Sequence, residues 1–252
     1  MATFEVQVEG LTSLTLDGSS APTQDELTQF LTDGAKEIIN NLPGHLLPLC
    51  ASSNTFTSGS AETLVTGKIL NVFRNDGDIN QPCRKIPAKQ KGRVSDPDDM
   101  AYATITDPVF FIDNNTLDVL PAGGSCSYSA VAYPSVAYGA SAIAAFPNEA
   151  EHLVVLYGAI KSLQNALANM DSSIVHSDQD GSYSASSSSS QGWEKVRDYL
   201  HSDEDTEISS ASLQALSSEM QQFVQEYNFY QTQQQKLQAD YDKGIQLLLD
   251  GA

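Results

Sequence analysis

The chain has 252 residues, of which 32 are acidic and 13 basic, for a formal net charge of −19. That balance argues against nonspecific binding of nucleic acid or anionic membrane by the surface as a whole. An apolar content of 40% excludes a disordered acidic chain and predicts a buried core.

Residues 3–9, TFEVQVE, alternate apolar and polar, with Phe4, Val6 and Val8 on one face. This period of two predicts a strand within an N-terminal arm over 1–23. No basic and apolar leader opens the chain, so no signal peptide is expected, and no apolar run reaches membrane-spanning length. Thr23 and Glu26 stand at capping-box spacing before Leu27, Phe30, Leu31, Ala35, Ile38, Ile39 and Leu42. Steps of three and four predict an amphipathic helix over 24–42, ended by Pro43-Gly44. HLLPLC (45–50) reads as a short helical turn on the same core.

The character then changes. ETLVTGKILNVFRND (62–76) is β-rich, and ATITDPVFFIDNNTLDVLPA (103–122) reads as two strands about an Asn114-Asn115 hairpin turn. SYSAVAYPSVAYG (127–139) reads as a further strand broken by Pro134. Residues 54–145 are therefore expected to form an antiparallel module of four to six strands, with a long loop at 83–99. At Pro147 helix signals return, with Glu149 and Glu151 suiting the positive end of a helix dipole. Leu153, Leu156, Ile160, Leu163, Leu167 and Met170 mark its buried face, and Gly158, Ala159 and Ala166 admit a close neighbour, the helix at 24–42.

Residues 171–192 are Ser-rich and read as a connector, and WEKVRDYL (193–200) as a short helix. The final segment repeats Leu213, Leu216, Met220, Phe223, Tyr227, Tyr230, Gln234, Leu237, Tyr241, Gly244 and Leu248 in steps of three and four. That is a heptad seam, and a helix over 209–249 would run ~60 Å. The predicted class is α+β: a helical base (24–53 and 146–170), an inserted antiparallel β module (54–145) and C-terminal helices (193–252). Phe223, Tyr227, Tyr230, Leu237 and Tyr241 are the candidate anchors of an intermolecular interface.

Chemistry-bearing motifs are sparse. Cys50, Cys83 and Cys126 lie far apart, without metal or disulfide spacing, which fits a reducing cytosol. The histidines at 45, 152, 176 and 201 lack HxxxH spacing. DQDG (178–181) and NDGD (75–78) lack the ligand set of a calcium loop, and GGSCS is no nucleophile elbow. No enzyme, cofactor or metal is expected. Five basic residues fall within ten positions, Arg84, Lys85, Lys89, Lys91 and Arg93, followed by Asp96, Asp98 and Asp99. Two readings stand: a loop docking on an acidic neighbouring subunit or DNA, or a solvated loop that compensates its own charge.

LTQFLTDGAKEIINNLP, CRKIPAKQKGRVSDPDDMAYAT, DPVFFIDNNTLDVLPA, VAYPSVAYG and FPNEAEHLVVLYGAIKSL follow one another in that order. Over residues 20–170 this resembles the head-to-tail adaptor (head-completion or neck) proteins of tailed bacteriophages. The resemblance implies a virion structural protein at the neck, made in the host cytoplasm. It implies a homo-oligomeric ring, commonly a dodecamer, between the portal protein and a tail or nozzle protein. DNA would pass along the channel without specific binding, and no membrane is involved. The alternative is a non-enzymatic cytosolic scaffold that homo-oligomerises through its C-terminal coiled coil.

Overall fold

The computed structural model describes residues 2–64, 67–179 and 206–250. The chain is α+β and divides into two compact units. One is helical (Met1–Leu31, Ala137–Ser141, Val155–Ile245); the other holds the strands (Thr32–Val136, Ala142–Val154, Gln246–Ala252).

The helical unit begins with a correction. The N-terminal segment is not a strand but helix α1, Phe4–Thr12. Phe4 and Val8 satisfy a period of two and a period of 3.6 equally, so the decision falls to Val6. Phe4, Val8 and Thr12 are buried, whereas Val6 is 54% exposed. Thr3 supplies the N-cap, its hydroxyl accepting from the Val6 N–H. The freed N–H groups of Phe4 and Glu5 donate to the carbonyls of Ala140 and Tyr138 at 2.8 and 3.0 Å.

Helix α2 (Gln24–Asn41) starts with the expected capping box. Thr23 N–H donates to Glu26 Oε2 at 2.8 Å, and Glu26 N–H donates to Thr23 Oγ1 at 3.3 Å. Helices α2 and α4 (Asn148–Gln179) meet within this unit at Gly158, where an added Cβ would lie 2.9 Å from Leu31 Cδ2. Leu27, Leu31, Ala159, Leu163 and Ala166 are buried around the contact. α4 carries on through 171–179, so the first part of the expected Ser-rich connector is helical. The remainder of that connector, and the helix expected at 193–200, lie outside the described residues. The last helix of the chain spans Thr206–Asp250.

Among the described residues the second unit contains eight strands in two four-stranded sheets, more than the four to six expected. β1 (Ala51–Thr57), β8 (Ser125–Val131), β3 (Ile69–Asn75) and β4 (Asn80–Pro82) form one sheet in that spatial order. β2 (Glu62–Thr63), β7 (Thr116–Leu120), β6 (Val109–Asp113) and β5 (Arg84–Lys85) form the other. All pairings are antiparallel except β5 with β6. The β6–β7 turn is the expected hairpin, with Asn114 and Asn115 both at positive φ (45° and 62°) as a type I′ turn requires. β8 stops at Val131, short of the expected 139. After Ala132, whose N–H donates to Cys50 O at 2.8 Å, side chains hold the backbone: Val136 N–H donates to Thr32 Oγ1 at 3.0 Å. The β-rich segment 62–76 holds two strands, β2 and β3.

The facing sides of the sheets bury Val72, Phe110, Leu117, Val119, Cys126 and Tyr128 in one cluster. The other side of β6 carries Val109 and Phe111, which form a second cluster with Ile86, Val94 and Ala103. Segment 83–106 is thus a cover over the back of the second sheet.

Two joints can be tested by substitution. Thr23→Ala should cost about 1 kcal/mol in denaturant unfolding. Hydrogen bonding from the Thr23 N–H holds the Glu26 carboxyl below its ordinary value of 4.5. Its contribution is therefore complete above that pH and lost as pH falls through the lower folded-state value, so Glu26→Ala should destabilise at pH 7 and progressively less in acid. Gly158→Val should cost about 1–3 kcal/mol by forcing α2 and α4 apart.

Candidate functional site

The basic segment is structured, not the loop expected at 83–99. Arg84 and Lys85 lie in β5; Ile86 N–H continues the pairing by donating to Phe110 O at 2.9 Å. A 3-10 turn (Ala88–Gln90) leads into the short helix α3 (Lys91–Ser95), whose Val94 is buried. Apolar cover demands this: Ile86 and Val94 must face Val109 and Phe111, and the charged residues between them face outward.

Three of the five cations are matched by carboxylates of the same unit. Arg84 Nη2 lies 3.0 Å from Asp107 Oδ2. Arg93 holds Asp99 in a two-pronged contact, Nε–Oδ2 2.9 Å and Nη2–Oδ1 3.2 Å. Those bonds from Arg93, with one from the Ala101 N–H, keep the Asp99 carboxyl below the usual range. Lys91 Nζ sits 3.8 Å from Asp118 Oδ2 and 5.2 Å from the centre of the Phe111 ring. Of the five, only Lys85 and Lys89 are exposed without an ion pair among the described residues. The geometry favours self-compensation, which surface pairs achieve weakly but sufficiently to leave little net field. Asp99 was visible from spacing; Asp107 and Asp118 were not, because the fold brings them.

The terminal helix, here α5 (Thr206–Asp250), divides along its length. Leu237 and Tyr241 are 4% and 6% exposed, and the Tyr241 ring centre lies 6.0 Å from that of Tyr157 on α4. Gln233 Nε2 donates to Leu11 O at the end of α1, 2.9 Å away. Leu237 and Tyr241 are therefore core residues, which corrects their assignment as intermolecular anchors: their stripe meets α1 and α4 of the same chain first. Tyr230 is half-buried, and burial together with the neighbouring Glu226 carboxylate pushes its phenol up. Both line a hollow of about 310 Å³ with Leu14, Ala166 and Met170. Phe223 and Tyr227 are half-buried, while Met220, Val224 and Phe229 are 60%, 54% and 50% exposed.

A buried cation also escaped the sequence reading. Arg74 is only 4% exposed, on the core-facing side of β3 beside Val72. Its Nε donates to Pro121 O at 3.0 Å, its Nη1 has no partner, and Gly124 packs so closely that a Cβ there would meet Cζ at 2.7 Å. The arginine ties β3 to the β7–β8 connection. An arginine on the apolar parity of a strand was the available signal. Nearby Cys83 is pushed up to about 12, chiefly by burial and then by Cys126, against the pull of Arg74. It stays a neutral thiol at physiological pH, not a nucleophile. Among the described residues no cluster of His, Cys, Asp and Glu could hold a metal ion, and no helix is long and apolar enough to cross a membrane.

Comparison with protein-family models gives no match for this chain, and comparison with curated proteins gives none either.

Charge reversal separates the two kinds of lysine. Lys91→Glu sets a carboxylate against Asp118 and should lower stability by about 1 kcal/mol. Lys85→Glu with Lys89→Glu should leave the thermal midpoint within about 1 °C, since neither has a carboxylate to lose.

Proposed function

We propose that the protein is a structural component of a bacteriophage virion, a head-to-tail adaptor that binds the portal protein and a tail or nozzle protein as a ring of identical copies. The observation that carries this reading is the division of α5. At 1.5 Å per residue, 45 residues make a helix of roughly 68 Å. Its own unit buries Leu237 and Tyr241, while Met220, Val224 and Phe229 remain exposed on the preceding turns. A helix packed on its own unit at Leu237 and Tyr241, with the large apolar side chains of Met220, Val224 and Phe229 exposed before them, is suited to clamp a neighbouring protein. The ordering of segments over 20–170 supports the same role.

The charge fits a channel wall. A surface at −19 per copy repels phosphates, and a duplex that is not gripped slides at any sequence. A coiled-coil dimer along the whole seam is disfavoured, because Leu237 and Tyr241 already pack inside the chain.

Co-expression with the portal protein tests the role. Wild-type protein should co-purify with portal as a ring of defined mass, and Met220→Asp with Val224→Asp should lose portal binding at least tenfold while keeping its thermal midpoint. Equal binding by the double variant would remove α5 as the clamp; no binding by the wild type would remove the adaptor role. In a mobility-shift assay at low salt the isolated protein should leave duplex DNA unshifted.

A further inference from the structure

Sheet edges are where chains add to one another, and proteins ordinarily blunt them with short strands, charges or proline. Three of the four edges here are blunted. β4 has three residues and ends on Pro82; β2 has two; β5 is the charged pair Arg84-Lys85. β1 is different. Its sequence ASSNTFT runs seven residues without a charge or a proline, and Ser52, Ser53, Asn54 and Thr55 are all exposed.

The ladder on its inner side shows which groups point outward. β1 and β8 pair in the register Ala51↔Val131 through Thr57↔Ser125. Just beyond the ends, Ala132 N–H donates to Cys50 O and Ser58 N–H donates to Gly124 O, both at 2.8 Å. Hydrogen-bonded pairs alternate in an antiparallel ladder, so the even residues 52, 54 and 56 bond β8. The odd residues 51, 53, 55 and 57 turn their N–H and C=O groups to the open edge. Two of those groups are already used: Ala51 N–H donates to Pro48 O, and Thr57 O accepts from Ser60 N–H.

We propose that β1 pairs antiparallel with β1 of a second copy, about a twofold axis at Asn54, joining two four-stranded sheets into one across the dimer. The pattern of used groups selects this register. With Ala51 opposite Thr57 of the other copy, the occupied N–H of Ala51 faces the occupied C=O of Thr57. Every remaining donor meets a free acceptor: Ser53 and Thr55 exchange bonds in both directions, and Thr57 N–H meets Ala51 O. That makes about six interchain backbone bonds. A shift by one residue would set outward groups against inward ones. The uncharged strand lets two copies at −19 each approach without repulsion across the seam, and the Ser53 and Thr55 side chains extend the Ser/Thr face already joined by the Ser53–Ser129 hydroxyl contact at 3.2 Å. A twofold contact closes on itself, whereas a ring needs a head-to-tail one. The pairing therefore stands apart from the adaptor role and describes the free protein.

Asn54→Cys tests the axis. Residue 54 sits opposite itself in a non-hydrogen-bonded pair, where Cα atoms approach within disulfide range. Mild oxidation should convert most of this variant to a covalent dimer, while the wild type, with Cys50 and Cys126 buried and Cys83 half-buried, gives none. Thr55→Pro removes an outward N–H without touching the β8 ladder; it should keep the wild-type circular dichroism and sediment as a monomer where the wild type sediments as a dimer. A wild type that is monomeric at ~100 µM, where a dissociation constant tighter than that would show, overturns the proposal and leaves the edge to a different protein. A dimer that survives Thr55→Pro, together with an Asn54→Cys variant that does not crosslink, overturns it equally, by placing the contact elsewhere.

Discussion

The strand unit depends on one strand that is apolar on both faces. Val109, Phe110, Phe111 and Ile112 follow without a polar break, so β6 cannot lie at a solvent-facing sheet. One face takes the opposing sheet through Val72, Cys126 and Tyr128. The other must be covered by something else, and the chain supplies residues 83–106. The consequence reaches the surface. Once Ile86 and Val94 are fixed inward, Arg84, Lys91 and Arg93 are fixed outward beside Asp107, Asp118 and Asp99. A cluster of cations that looks like a docking loop in one dimension becomes, in three, the hydrated rim of a hydrophobic cover.

The helical unit rests on small residues in the same way. Gly158, Ala159 and Ala166 let α4 approach α2 until Leu31 touches the glycine backbone. α1 closes the unit with Phe4 and Val8 buried, and α5 lays Leu237 and Tyr241 into what remains. Tyr157 and Tyr241 meet at an interplanar angle of 55°, within the tilted range that aromatic quadrupoles favour. The seam of α5 is thus buried unevenly along its length, and that unevenness separates core from surface on a helix whose sequence pattern is uniform.

Much of this was legible beforehand, for reasons that can be named. α2 announced itself by a capping box, the β6–β7 hairpin by paired asparagines, and α4 by glycine and alanine on an apolar stripe. Each is a local signal with a local cause. The failures were nonlocal. Phe4 and Val8 fit both periods, and only the burial of Thr12 with exposure of Val6 decides for a helix. β1 straddles the boundary expected at 53–54 between helical base and β module, and does not stand out as a strand because an edge strand with four exposed residues in a row has almost no apolar period to show. Of the candidate interface residues, Leu237 and Tyr241 were misassigned because a heptad stripe does not say whose helix it meets. Asp107, Asp118 and the buried Arg74 needed the sheet register before their roles existed.

Charge, or its lack, supplies the remaining step. With 32 acidic residues in 252, a stretch of exposed surface without charge is itself informative, since solvation gives no reason to avoid it. Two stretches poor in charge, among several along the chain, bear on the proposed contacts. Residues 208–235 hold only Glu219 and Glu226, and β1 holds none. They differ in the groups they offer. The helix has satisfied its backbone hydrogen bonds internally and presents side chains, so it can recognise only a surface of matching shape. The strand presents backbone donors and acceptors in a fixed alternation and can recognise only another strand. The two proposed contacts, one on a helix face and one on a strand edge, therefore do not compete for the same partner.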